Sequence, residues 1–312
     1  MPIKHIPVML PEVLHYLNCR PGKIYVDCTL GGSGHAQAIC KKIIPGGVFI
    51  GIDQDIDAVK NAKKVLKPFE SNSHLFHGNF IYLPEFLRQL KIVAVDGILI
   101  DLGISLHQIE SSGRGFSFKK DEPLDMRMNQ TSDTKAEDLV NTMGVGSLKN
   151  IFQQYGEERW AGRIAKKIVK ERQLKVIRTS SRLSQIVRDA VPRQASRRQK
   201  IHPATRVFMA LRIAVNKELE RLDLFMKNFA DLLNLKGRLC VLSFHSLEDR
   251  IVKSRIKVLE KTCVCPPDFP KCVCNKKKTV RALTKKVVRP TEEEVAANHM
   301  ARSARLRAVE KI

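Results

Sequence analysis

The chain reads as an α/β protein, a wound parallel sheet interrupted by an inserted helical segment, and three observations predict it. Short aliphatic runs alternate with amphipathic stretches through the first third, the pattern of βαβ units. A glycine-rich turn, Gly31-Gly32-Ser33-Gly34, follows the first aliphatic run. The rhythm breaks after Leu102 and resumes at Arg238, so the sheet is discontinuous in sequence.

Taken in order, Ile24 to Leu30 predicts a strand, His35 to Ile43 a helix, Val48 to Asp53 a second strand and Ile56 to Leu66 a second helix. Ser73 to His77 and Leu83 to Leu90 give a third strand and helix. Asp96 to Leu102 is almost continuously aliphatic, as a strand buried on both faces should be. Gly103 to Gln130 is rich in Gly, Ser and charge, follows neither period, and is long enough to be functional. From Lys135 to Arg198 the pattern is helical, and Arg159 to Lys200 carries fourteen Lys or Arg against Glu171 and Asp189. Pro203 suits a first helical residue, and Val207, Leu211, Val215, Leu219, Leu222, Phe225 and Phe229 recur toward Gly237, predicting one long amphipathic helix. Arg238 to Phe244 then reads as a strand and Leu247 to Leu259 as a helix. The tail from Lys261 is basic and ends in an Ala/Arg-rich stretch, Val295 to Val309. This divides the chain into a discontinuous core, 1–112 with 205–312, and an inserted helical domain, 113–204.

With 312 residues, 43% of them hydrophobic, the chain can bury a substantial core and is not compositionally disordered. No apolar run is long enough to span a membrane, and Met1 to Leu14 lacks the apolar core and cleavage site of a secretory signal. A cytosolic protein is expected, with its eight cysteines reduced. The net charge of +23 points to nucleic acid, with an acidic protein partner as the alternative. The oligomeric state is left open, a homodimer included. Cys263-x-Cys265 and Cys272-x-Cys274 could supply four thiolates to zinc, but structural zinc pairs are usually spaced by two to four residues. They are read as reduced thiols in a proline-containing loop, and no metal ligand is assigned. Cys19, Cys28, Cys40 and Cys240 read as small core residues.

Asp27 sits near the end of the first strand, and Asp53 closes the second 22 residues after Gly31, close to the spacing at which an acid meets ribose hydroxyls in nucleotide-binding folds. The turn is not G-x-G-x-x-G. Asp27, Asp53, Asp55 and Asp101 all fall at or beside the C-terminal ends of strands, where open α/β sheets bind ligands. Negative charge there, in a strongly basic protein, suits a cationic ligand. S-adenosylmethionine carries a sulfonium and an ammonium and lacks the pyrophosphate of NAD, so the acids favour it. The alternative is that these acids cap helices and turns. His245, Ser246, Glu248 and Asp249 follow a strand without the G-x-S-x-G of a nucleophile elbow and read as the start of a helix.

Several separated motifs resemble one family, the bacterial 16S ribosomal RNA cytosine-N4 methyltransferases of the MraW type. They are HIPVMLPEVL (5–14), YVDCTLGGSGH (25–35), GIDQD (51–55), HGNF (77–80), DGILIDLGIS (96–105), RGFSF (114–118), PLDMRM (123–128), YGEERWAGR (155–163), HPATR (202–206) and SFHSLEDRIV (243–252), in order along most of the chain. The resemblance implies a Rossmann-like class I methyltransferase using S-adenosylmethionine, with an insertion that recognises small-subunit ribosomal RNA near the decoding region. It implies that Ser33, Gly34 and His35 line the methionine end, that Asp53 takes the ribose hydroxyls and Phe80 flanks the adenine, and that Asp101 and Gln108 complete the pocket. The family's D-L-G-x-S-S-x-Q is altered here, where Leu106 and His107 separate Ser105 from Gln108. It also implies that the Ser243 to Val252 motif lies near the substrate mouth.

Asp101, from its place at the fourth strand's end, is the first candidate to accept the proton released by the cytosine amino group. Asp125 and Arg127 are second candidates, for substrate positioning, with a loop salt bridge as the alternative. Arg159 to Lys200 and Lys276 to Arg289 are the candidate RNA contacts, against the alternative of solvated charged faces. Phe116, Phe118 and Trp160 are candidates for base stacking, against core packing.

Overall fold

A computed structural model describes residues 6–192, 201–263, 265–266, 271 and 273–312. The chain divides into two compact units, one formed by Met1–Gly103 with Leu219–Ile312 and the other by Ile104–Glu218.

Among the described residues, the first unit holds one sheet of seven strands: β1 (Ile24–Asp27), β2 (Val48–Asp53), β3 (Ser73–His77), β4 (Val95–Asp101), β5 (Leu233–Ser243), β6 (Val280–Ala282) and β7 (Arg305–Lys311). Their order is β3-β2-β1-β4-β5-β7-β6, parallel through β5 and antiparallel at β5-β7 and β7-β6. Strand residues alternate between two apolar layers. Val26, Ile50, Ile52, Ile98 and Ile100 pack with Leu222, Phe225 and Phe229. Tyr25, Phe49, Leu99, Cys240 and Leu242 face the other layer, with Val13, Leu17, Ile39 and Ile43. Burial on both faces explains why these strands read as nearly continuous aliphatic runs. The chain order reverses at β1, which lies between β2 and β4, and such a switch opens a crevice at the C-terminal strand ends.

Helices Gly34–Ile43, Ile56–Val65, Leu83–Gln89 and Ser246–Glu260 follow the spacing that predicts them. The tail departs from its reading. The last third of the Ala/Arg-rich stretch forms most of β7, paired with β5 along Arg238–Ser243, with Leu306, Ala308 and Val309 fully buried. Arginines hid this strand. Arg307 Nε and Nη2 donate to Asp249 at 2.6 and 3.2 Å, so this arginine of the strand is paired rather than solvated.

In the second unit, helices Ala136–Thr142, Val145–Gln154, Ala161–Leu174, Ser180–Ala190 and Ala204–Asn216 enclose a core that includes Leu139, Phe152, Ile164, Leu183, Val207 and Leu211. The helix expected to run from Pro203 toward Gly237 is broken. It ends at Asn216, and Lys217 takes a left-handed φ of 50°. A new helix, Glu218–Asn228, and a 3-10 turn, Phe229–Leu232, lead into β5, which begins at Leu233 rather than Arg238. Two polar contacts hold the break. Asn216 Nδ2 donates to Met126 O at 2.8 Å while its Oδ1 accepts from Met128 N at 2.8 Å. Arg212 donates through Nε and Nη2 to Glu218 at 2.9 and 3.0 Å.

The boundaries accordingly differ from 112/113 and 204/205. Helix Ala204–Asn216 packs with Val145–Gln154, Ala136–Thr142 and Ser180–Ala190, and the loop after Leu102 packs there too, with Leu124 and Met126 fully buried in that core. No helix among the described residues is long and apolar enough to cross a membrane.

Candidate active site

Three adjacent strands of the first unit end in carboxylates, Asp53 on β2, Asp27 on β1 and Asp101 on β4. The strands run parallel, so their C-terminal ends lie at the same edge of the sheet, with Asp53 and Asp101 two residues beyond the level of Asp27.

The Asp53 carboxylate holds the glycine turn. Its Oδ2 accepts from Gly31 N at 3.0 Å and its Oδ1 from Asp55 N at 2.8 Å. Burial raises its carboxyl to about 6 against these hydrogen bonds. Gly31, with φ of 43°, turns the chain, and Ser33 takes a left-handed φ of 65° before the helix Gly34–Ile43. A Cβ on Gly34 would lie 3.0 Å from Pro7 Cδ and Cγ, so glycine permits the amino-terminal segment to close over the turn.

Asp27 is buried, with Oδ1 accepting from Thr29 N at 3.1 Å. Its carboxyl is pushed well up, first by burial and then by the charges of Asp101 and Asp53. Asp101 has its backbone N–H donated to Thr29 Oγ1 at 2.7 Å. Burial, and secondarily the charge of Glu248, raise its carboxyl to about 7. His35 is buried beside it. Its Nε2 lies 2.9 Å from the Val8 carbonyl, which only accepts, so Nε2 carries the proton and Nδ1 faces Asp101 Oδ2 at 3.6 Å.

The side-chain atoms Asp27 Oδ2, Ser33 Oγ and Asp101 Oδ1 are buried and have no hydrogen-bond partner among the described residues. Buried polar atoms are ordinarily satisfied. Two of these are carboxylate oxygens and the third is a hydroxyl, a donor set that fits a ligand carrying an ammonium and a sulfonium. The residues present therefore fit S-adenosylmethionine.

Phe80 is buried, edge-on to Phe225 with centroids 5.5 Å apart, and forms an apolar wall. The preceding Asn79 donates through Nδ2 to Gln54 Oε1 at 3.1 Å, and Arg221 Nη1 donates to the same oxygen at 3.0 Å. Asp55 caps the helix Ile56–Val65, so one of the four strand-end acids has the capping role. His245 and Glu248 likewise begin the helix Ser246–Glu260. The buried Glu248 accepts from Phe244 N at 2.8 Å and lies 3.1 Å from His245 Nε2.

The remaining candidates lie in the second unit. Gln108 forms a capping box with Ser105, its Oε1 accepting from Ser105 N at 3.0 Å. Asp125 and Arg127 grip each other in two hydrogen bonds of 2.7 Å, and Arg127 Nη1 also donates to Gln130 O and Ser132 O. Burial alone would raise the Asp125 carboxyl, but Arg127's hydrogen bonds and charge outweigh it and hold the group below its ordinary range. The pair forms a salt bridge within the loop. Phe116 is buried, and Phe118 stacks on His202 at 4.5 Å and meets Phe208 edge-on. Trp160 is half-buried with Arg159 over its ring at 5.6 Å.

Arg163, Lys166 and Lys170 are exposed along one face of the helix Ala161–Leu174. Arg197, Arg198 and Lys200, in the same basic run, lie outside the described residues, as does Cys272. Cys263, Cys265 and Cys274 come together, whereas Cys28, Cys40 and Cys240 are buried core residues whose thiols burial pushes up.

Sequence reasoning missed Thr29, whose hydroxyl anchors Asp101, and Val8, whose carbonyl fixes the His35 proton. Neither carries a chemical signature. Glu248 was visible only as a helix-starting acid, because its effect on Asp101 depends on two strands ending side by side.

A model of the MraW methylase family matches residues 2–312. The chain is 53% identical to "Ribosomal RNA small subunit methyltransferase H" of Desulfosudis oleivorans over 312 residues, all of both chains. It is 52% identical to the protein of that name from Desulforapulum autotrophicum, covering 98% of each chain. The Clostridioides difficile protein of that name is 44% identical over the full length of both.

Proposed function

Because this chain belongs to the MraW methylase family, we propose that it methylates N4 of a cytidine in 16S ribosomal RNA, near the decoding region, with S-adenosylmethionine as donor. The coarser activity, S-adenosylmethionine-dependent methylation of small-subunit ribosomal RNA, follows from full-length relatives of that name and from a Rossmann-like fold. The observation that carries the reading is the row of carboxylates ending β2, β1 and β4 beside a glycine turn, with unsatisfied oxygens on Asp27 and Asp101.

When bound, S-adenosylmethionine supplies a sulfonium-activated methyl carbon open to in-line attack. Asp53 binds the ribose, since each carboxylate oxygen spends one lone pair on a backbone N–H and keeps another for a hydroxyl. Ser33 and Gly34 line the methionine end, Gly34 by leaving the backbone uncovered and Ser33 through its buried hydroxyl. Asp27 and Asp101 hold the cationic end by charge, and Phe80 walls the adenine.

The cytosine amino nitrogen is a poor nucleophile, its lone pair delocalised into the ring. Holding it in line supplies most of the acceleration, and a base must take its proton. Asp101 takes that proton at Oδ1. A carboxyl raised to about 7 holds a proton more firmly than an exposed aspartate and is still largely ionised slightly above neutrality. His35 is a positioning residue, fixed through Nε2 to Val8 O with Nδ1 toward Asp101 Oδ2. Asp125 and Arg127 position substrate indirectly, by fixing residues 125–132. Arg163, Lys166 and Lys170 contact phosphates, and the target base is unstacked before it reacts.

The test is transfer of labelled methyl from S-adenosylmethionine to small ribosomal subunits lacking the modification, followed by nuclease digestion and mass spectrometry of the nucleosides. N4-methylated cytidine is the expected product. Label in another nucleoside refutes the N4 assignment, and label only in DNA or protein refutes the acceptor.

A further inference from the structure

Between the helix Ser246–Glu260 and β6 the first unit runs through residues 261–279 without regular structure among the described residues. Three thiols converge there. The Sγ atoms of Cys263, Cys265 and Cys274 all lie within 4.8 Å of one another, and those of Cys263 and Cys274 are 3.8 Å apart. A disulfide holds its sulfurs at about 2.05 Å. Two thiolates on a tetrahedral zinc, with Zn–S of about 2.3 Å, are separated by about 3.8 Å. The Cys263–Cys274 separation matches that of two sulfurs sharing an ion.

Two further features suit thiolates. Backbone N–H groups point at the sulfurs, Cys265 N to Cys263 Sγ and Val273 N to Cys265 Sγ, each at 3.4 Å, and such contacts stabilise metal-bound sulfur. Lys261, Lys271 and Lys276–Lys278 lie close by in sequence, a positive charge that balances an anionic cluster of metal-bound sulfurs. A spacing of one residue within a Cys-x-Cys pair argues against zinc on sequence grounds. The separation of the sulfurs in space weighs the other way, since Cys274 arrives from the far end of the loop to within 3.8 Å of Cys263. Cys272 lies outside the described residues and carries no part of the argument.

We propose that Cys263, Cys265 and Cys274 bind a structural zinc ion, with a fourth donor completing the tetrahedron. Binding converts the thiols to thiolates and releases their protons to solvent. The site stands apart from methyl transfer and does not depend on that reading.

The test uses the full-length protein, purified under reducing conditions, stripped with a chelator and titrated with Co2+ alone. The expected result is a thiolate-to-cobalt charge-transfer band with the ligand-field bands of tetrahedral cobalt, saturating at a single ion per chain and bleached by Zn2+. C263S/C274S should lose these bands, C265S should weaken cobalt binding at least tenfold, and C19S should keep both bands and affinity. Binding of S-adenosylmethionine by each variant checks that it is folded. Absence of the bands in fully reduced wild-type protein overturns the proposal. So does their survival in C263S/C274S, or a Cys263–Cys274 disulfide in freshly purified protein.

Discussion

Replacing Asp101 by asparagine, in D101N, separates its electrostatic cost to the fold from its part in catalysis. Its carboxyl rises from an ordinary 3.8 to about 7, because burial and the Glu248 charge disfavour the ionised form. A group whose pKa is raised on folding contributes stability that is complete below its unfolded value and lost as pH climbs through its folded value. Between about pH 4 and 7 the folded protein keeps this proton and the unfolded chain has released it. Stability then falls by as much as about 1.4 kcal/mol per pH unit. Over the whole interval the loss reaches about 4 kcal/mol, and the side chain's 21% exposure lowers it to about 2–4 kcal/mol. D101N lacks the titrating group. Urea unfolding of ligand-free wild type and D101N should therefore give curves that diverge above pH 4, the variant gaining about 2–4 kcal/mol relative to wild type by pH 8. Parallel stability profiles across this range would refute the electrostatic argument. D101N should also lose methyl transfer at every pH, and activity close to wild type would remove Asp101 as the proton acceptor. In wild type, a cationic donor beside Asp101 should release protons on binding near neutrality, read as buffer-dependent enthalpy in calorimetry.

Three other predictions follow from separate parts of the molecule. D53A removes the acceptor for both Gly31 N and Asp55 N, so donor affinity measured by calorimetry should fall at least about a hundredfold while RNA affinity is unchanged; equal loss of both would make the residue purely structural. N216A strips the buried partners of Met126 O and Met128 N and should cost about 2–4 kcal/mol in urea unfolding, and a change below about 0.5 kcal/mol would show that the break after this helix does not depend on it. R163Q/K166Q/K170Q should lower the slope of log affinity for RNA against log salt by about 2, from roughly 0.7 per phosphate contact, whereas an unchanged slope would take this face out of the interface. The sequence-level counterpart, replacement of Arg197, Arg198 and Lys200, makes the same demand of residues outside the described set.

Strand β2 matches the sequence reading and β4 differs by one residue at each end, because strands buried on both faces must be aliphatic and leave a run visible in one dimension; the edge strand β3 also matches, whereas β1 stops at Asp27, three residues short of its predicted end. The strand-end acids were legible for a related reason: Asp53 and Asp101 close runs whose ends the pattern marks. The tail strand β7 was not legible, since Arg305 and Arg307 alternate with its buried side and Asp249, the partner of Arg307, comes from elsewhere in the chain. Nor was the helix break after Asn216, because apolar spacing continues across Lys217 and the contacts that hold the break come from the loop at Met126–Met128 and from the Arg212–Glu218 pair.

Local pattern thus determined the wound sheet, the glycine turn and the choice of acids at the strand ends, all of which depend on side-chain period and backbone freedom. Tertiary structure alone decided their chemistry. A carboxyl raised to about 7, a histidine proton fixed by the Val8 carbonyl, and three thiols drawn to within 4.8 Å depend on burial and on neighbours far apart in the chain. Charge, hydrogen bonding and metal affinity act over a few ångströms of space, whereas sequence pattern reports separation along the chain.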